Sequence, residues 1–129
     1  ESFLGNRETI LVVDDEKSQR EIASSILTKL RYRVEAVSSG EEAIAYIKEH
    51  SVDLIVLDMV MPKGMNGRET YEEIINIRPG QKAVIASGYA KTKDVDAVQS
   101  LGAGRYIKKP YTLEGIGLTV QEELKTVVS

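Results

Sequence analysis

The hydrophobic positions of this chain follow two periods that take turns. Short β-branched runs at 9–13, 33–37, 54–57, 83–86 and 106–107 have the length and composition of strands. Between them apolar residues recur every three or four positions, the spacing of one helix face. Ile22, Ala23, Ile26, Leu27 and Leu30 form the first such stripe, Ala43, Ile44 and Ile47 the second, and Tyr71, Ile74 and Ile75 the third. Val95, Val98 and Leu101 make a fourth, and Ile116, Val120 and Leu124 a fifth. Boundary chemistry agrees. Ser39 with Glu42, and more loosely Asn66 with Glu69, stand at capping-box spacing. Arg78-Pro79-Gly80 closes the third helix, and Gly102 comes after the fourth as a C-terminal glycine would.

Five strands alternating with five helices predict an α/β fold with a parallel sheet covered on both faces. The run "LIVL" at 54–57 lacks polar alternation, as a central strand buried on both sides should. Right-handed crossovers favour a doubly wound sheet, which binds ligands beyond the carboxyl ends of its strands. Residues 1–8 mix Gly5, Asn6 and charges with only Phe3 and Leu4 apolar, and read as linker ahead of a domain at 9–129.

Composition narrows the function by exclusion. A chain of 129 residues suits one domain with a single core. The net charge is −3 and the 17 basic residues are scattered, with no basic stripe interleaved by aromatics, so direct nucleic-acid binding is not expected. The absence of cysteine excludes a disulfide scaffold and thiolate metal sites, and suits a cytoplasmic location. No apolar run approaches the roughly 18 residues of a membrane span, so no membrane contact by this domain is expected.

The residues at the strand ends are less ordinary. The first strand ends at Asp14 and Asp15, the third at Asp58, the fourth at Ser87 and Gly88, the fifth at Lys109 and Pro110. Singly, each has a bland reading: an acid at a helix N-terminus, a loop serine, a solvated turn. In a parallel sheet all four ends share one edge, so three carboxylates, a hydroxyl and an ammonium converge. Clustered carboxylates repel one another and resist desolvation. A hard divalent cation relieves this, and Mg²⁺ prefers oxygen ligands and phosphate oxygens. Lysine and a hydroxyl beside such an ion are the usual apparatus for stabilising phosphoryl transfer. The lone carboxylate Asp58 is the natural nucleophile.

These residues carry a resemblance. "ILVVDDE", "VDLIVLDMVMP" followed by "NG", "ASGYA" and "GAGRYIKKPYT" are similar, in order, to the CheY-like receiver domain of bacterial response regulators. The likeness runs from about Thr9 to Leu124. It implies a flavodoxin-like (βα)5 fold with strand order 2-1-3-4-5, and a phosphoacceptor in a two-component phosphorelay. By the same resemblance Asp58 takes a phosphoryl group from a partner phosphohistidine, on a histidine kinase or a histidine phosphotransfer domain. Asp15, Asp58 and the Val60 carbonyl would hold Mg²⁺ or Mn²⁺, with Asp14 assisting partly through water. Lys109, placed by a cis bond to Pro110, and Ser87 would contact the phosphoryl oxygens, with the N–H groups of Met59 and Gly88 nearby. Tyr106 matches the switch aromatic, which turns inward as Ser87 moves. The changed surface of the fourth helix, fifth strand and fifth helix would be read by a downstream domain, and dimerisation is left open.

The chain also departs from the pattern. "MPKGMNG" is one residue longer than usual between its proline and final glycine, and Tyr89, two beyond Ser87, is bulky enough to shield a phosphoryl group and slow its loss. His50 falls at a helix end, where a cation suits the dipole. The glycines of "LGAG" precede a strand, so a dinucleotide reading fails. Tyr111 either packs at the output face or closes a turn. A flavin carrier would need a phosphate loop after strand one, where this chain has "DDEKSQ". A degenerate receiver acting as a phosphorylation-independent module is the remaining alternative, although every key position is filled. As a domain this is not a conventional enzyme beyond self-phosphorylation and dephosphorylation. "RETILVVDDE" and "ASGYA" look similar to receivers at the C-terminus of hybrid sensor histidine kinases, whose parent chain is membrane-anchored in many cases.

Overall fold

Short apolar strands cannot satisfy their own backbone groups, and here they do so by pairing side by side in parallel. The computed structural model describes residues 4–88 and 93–125. In chain order it contains β1 (Thr9–Val13), α1 (Lys17–Lys29), β2 (Arg33–Val37), α2 (Gly40–Glu49) and β3 (Leu54–Asp58). After these come α3 (Gly67–Ile77), β4 (Ala83–Ser87), α4 (Lys93–Ser100), β5 (Tyr106–Lys108) and α5 (Leu113–Lys125). The sheet order is β2-β1-β3-β4-β5, the flavodoxin-like order expected. β3 lies at the centre, and all five of its residues are buried. The register keeps the strand ends level: Val13 pairs with both Val37 and Leu57, Asp58 with Ala86, and Ser87 with Lys108.

Alternation along the strands sends side chains to two cores. Leu11, Val13, Ile55, Leu57 and Ile85 pack with Ile47, Ile74 and Val98 on one face. Ile10, Val12, Leu54, Val56 and Val84 pack with Ala23, Leu27, Ile116 and Val120 on the other. Each fully buried Val, Leu or Ile contributes about 1.5–3 kcal/mol. The sheet is therefore a rigid platform, and what projects from its edge is held in place.

Several boundaries differ in instructive ways. Ile22 and Leu101, counted in the helical stripes, are exposed: Ile22 lies at the margin of the buried face of α1, and Leu101 lies one residue beyond the end of α4. Asn66 and Glu69 make the full reciprocal capping box. At α2 the Ser39 hydroxyl accepts the Glu42 N–H, but Glu42 reaches back one residue further, to the N–H and hydroxyl of Ser38. His50 is the C-terminal cap of α2 and stacks on Tyr46, ring centroids 4.4 Å apart. Residues 4–8, read as linker, lie along the turn between α1 and β2: the N–H groups of Gly5 and Arg7 donate to the carbonyls of Leu30 and Arg31. Leu4 packs on the second core. Tyr111 closes no solvent-facing turn; it is buried in that same core.

Candidate functional site

The site is built where β1, β3, β4 and β5 stop. β1 runs into Asp14, which is fully buried, and β3 ends in Asp58, which is 3% exposed. Neither Asp14 nor Asp15 caps α1; the capping residue is Glu16, with no side-chain bond. One oxygen of Asp14 instead accepts the Glu16 N–H at 3.0 Å, fixing the turn, while the Arg20 guanidinium holds the Asp14 carbonyl at 2.9 Å. The other Asp14 oxygen accepts from the Lys109 ammonium at 2.6 Å. The same ammonium stands 3.4 Å from Asp58 Oδ1. Lys109 is joined to Pro110 by a cis bond, and its own N–H donates to the Ser87 carbonyl at 2.8 Å. That hydrogen bond ties the ends of β4 and β5 together. Ser87 is buried at 2% exposure.

Carboxylate oxygens of Asp14, Asp15 and Asp58 all lie within 4.8 Å of one another. A cleft of about 520 Å³ opens above them, lined by Asp15, Glu16, Asp58, Val60, Pro62, Gly88 and Lys109. Gly88 is exposed at its rim with open space where a side chain would stand. Two buried acids and one cation make an unbalanced set. Burial, and then repulsion from Asp14, push the Asp58 carboxyl up to about 7 against the opposing pull of Lys109 and the Val60 N–H. For Lys109, burial works to lower the ammonium's pKa, but the bond to Asp14 and the fields of Asp58 and Asp14 outweigh it, and the net shift is upward. Burial first, and then the two aspartates, raise the Tyr111 hydroxyl beneath them.

This donor set fits a hard divalent cation: anionic oxygens within one ion's reach, lacking enough positive charge of their own, and open to water on one side. Asp15, Asp58 and Val60 line that opening, and Asp14 is fully buried beside them.

The backbone around Asp58 corrects one expectation. The Met59 N–H is committed to the sheet, donating to the Ala86 carbonyl at 3.0 Å, so it cannot serve an incoming oxyanion. The Val60 N–H, donating to Asp58 Oδ1 at 3.2 Å, is the one aimed at the carboxylate. The signal was in the ladder: Met59 continues β3 by one hydrogen bond. Two further residues shape the loop after Asp58: Gly67, the final glycine of "MPKGMNG", whose reason the structure supplies, and Glu41, which was not read from the sequence. At Gly67 a Cβ would come within 2.7 Å of the Asp58 carbonyl oxygen and 2.6 Å of Met59 Cα, so only glycine lets α3 start this close to the end of β3. Glu41, from α2, accepts the Met65 N–H at 3.1 Å and braces the lengthened loop, with Gly64 in a left-handed conformation beside it. Tyr106 is half-buried against the first core. Tyr89 lies outside the described residues.

The profile of the response regulator receiver domain matches residues 10–121. The chain belongs to that family. Among curated relatives this receiver domain is 33% identical to the chemotaxis protein CheY of Thermotoga maritima over 103 residues, covering 79% of the chain and 85% of CheY. It is also 33% identical over 108 residues to the autoinducer 1 sensor kinase/phosphatase LuxN of Vibrio campbellii, covering 84% of the chain but only 12% of LuxN. A CheY-like receiver domain from Methanospirillum hungatei superposes with a TM-score of 0.85 at 29% identity, over 92% of this chain and 94% of that one. The CheY-like fold and the two-component class are thereby established for the receiver. Among the described residues, no helix is long and apolar enough to cross a membrane.

Proposed function

We propose that this receiver is a working phosphoacceptor, in which Asp58 takes a phosphoryl group from a phosphohistidine on a histidine kinase or histidine phosphotransfer domain. The observation that carries the reading is the convergence of Asp14, Asp15 and Asp58 with Lys109 at one open cleft. Mg²⁺, or Mn²⁺ in its place, would be held by Asp15, Asp58 and the Val60 carbonyl, with Asp14 behind, and when bound supplies charge neutralisation for the transferring group.

The chain's own residues do the rest. The ionised Asp58 oxygen forms a bond to phosphorus in line with the phosphorus–nitrogen bond that breaks, and the imidazole leaves as a neutral ring after taking up a proton. Lys109 is already within reach of Asp58 and compensates the charge that arrives. The Val60 N–H, which already donates to Asp58, and the N–H of Gly88 at the cleft rim would suit the phosphoryl oxygens. Ser87 bonds the same group, and its movement frees space for Tyr106 to turn inward. Adding roughly two negative charges biases a pre-existing equilibrium of α4, β5 and α5, which a downstream domain or a second receiver reads. The match to the sensor kinase/phosphatase LuxN supports placement as one part of a hybrid sensor kinase, working on the cytoplasmic side.

The test is fluorine NMR of the protein with beryllofluoride. A bound-state resonance that requires both Mg²⁺ and Asp58, and that is lost in Asp58→Asn, is expected. If no adduct forms with Mg²⁺ at neutral pH, the domain acts instead as a phosphorylation-independent module.

A further inference from the structure

At the opposite edge of the sheet from Asp58, where β1 and β2 begin, a second cleft of about 510 Å³ is lined by Gly5, Asn6, Arg7, Thr28, Arg31, Tyr32 and Arg33. Arg7, Arg31 and Arg33 thus line one concavity, in a chain whose net charge is −3. All three arginines are exposed, and none has a hydrogen-bonding or ion-pair partner for its side chain among the described residues. The neighbouring acid, Glu8, accepts the Asn6 N–H at 2.6 Å and lines a different cleft. Helix-dipole compensation does not account for the cluster, since Lys29 already supplies a cation to the last turn of α1.

The cleft is constructed rather than incidental. Gly5 crosses the ring of Tyr32 so closely that a Cβ there would overlap it. That crossing, with the bonds from Gly5 to the Leu30 carbonyl and from Arg7 to the Arg31 carbonyl, brings Arg7 beside Arg31 and Arg33. Arg7 and Arg31 both hold left-handed backbone, φ 65° and 71°, which non-glycine residues seldom adopt. Guanidinium forks suit phosphate oxygens, which they bind by paired, charge-assisted hydrogen bonds. Thr28 and Asn6, which also line the cleft, carry neutral hydrogen-bonding side chains. Tyr32 is 5% exposed and roofed by Gly5, so no aromatic face is open for stacking a base.

We propose that this cleft is a binding site for a compact polyphosphate anion, recognised through its phosphates alone, with inorganic pyrophosphate as the defining probe. The experiment is a titration of the whole chain with pyrophosphate, without divalent ions and at constant ionic strength, monitored by amide chemical shifts. Saturable shifts confined to residues 5–7 and 28–33 are expected, with affinity falling roughly tenfold or more in R31Q/R33Q. Gly5→Val, which displaces the crossing segment without removing charge, should weaken binding similarly, while beryllofluoride uptake at Asp58 stays intact in both variants. ADP should bind within a few-fold of pyrophosphate. Shifts that never saturate, an unchanged affinity in R31Q/R33Q, much tighter binding of ADP, or tighter binding of a poly-glutamate peptide would each overturn the assignment, the last in favour of an acidic protein partner.

Discussion

Two buried acids sit at opposite ends of β5, and the fold treats them differently. At its start, Glu123 of α5 is 5% exposed and well served: the Arg105 N–H donates to it at 3.1 Å and the Arg105 guanidinium at 3.0 Å. Gly104 leaves room for that carboxylate, since any side chain there would collide with it. At the other end, Asp58 is as deeply buried but has Lys109 only at 3.4 Å, because that ammonium sits closer to Asp14. One acid has its hydrogen-bonding and charge needs met by the chain. The other is held short of them. The first pattern locks α5 to the sheet, whereas the second leaves a demand for positive charge that a metal ion and a phosphoryl transfer can use.

This contrast can be broken from either side, and substitution should move the two acids in opposite directions. Glu123→Ala leaves the Arg105 N–H without its acceptor and opens a void, so denaturant unfolding should show a loss of about 3 kcal/mol. Asp58→Asn removes one of two repelling charges, and in EDTA at pH 8 unfolding should show a gain of about 1–2 kcal/mol. A loss there would mean that Lys109 already satisfies Asp58.

The pH dependence sharpens the same point. With a folded value near 7 against 3.8 for an unperturbed aspartate, folded Asp58 holds its proton more tightly than the unfolded chain does. Its contribution to stability therefore falls as pH rises between those values and is flat above them. The advantage of Asp58→Asn should accordingly shrink steadily as the pH falls from about 8 toward about 4; a constant gap across pH would contradict this. The smallest effect belongs to Arg105→Gln. Its side chain is 42% exposed, solvent screens the pair, and the backbone N–H of residue 105 still serves Glu123, so about 0.5 kcal/mol of destabilisation is expected.

Much of the sheet was legible because its physics is local. A β-branched run ending in a charge marks both a strand and the edge where it stops, and such endings place the cleft before any coordinate is known. Glu123 was not legible, because nothing near it in sequence indicates Arg105 as its partner, 18 residues away. The same holds for Glu41 bracing Met65 and for residues 4–8 lying across Tyr32, contacts made only once the layers pack. Met59 differs for a subtler reason. A residue adjacent to the nucleophile invites an oxyanion role, yet ladder parity turns its N–H toward Ala86 and leaves Val60 to face the carboxylate. Tyr111 comes after a charged pair and a proline, and its burial depends on α5 folding back over β5, which Ile116 and Val120 drive.

The central claim is that Asp58 is an acceptor made reactive by an incompletely neutralised acid cluster. Peptide mapping by mass spectrometry after incubation with acetyl phosphate tests it most directly. One phosphoryl group on the peptide containing Asp58, formed with Mg²⁺, absent in EDTA and absent in Asp58→Asn, is the predicted result. Modification at another residue, or none at all with Mg²⁺ present, would contradict it.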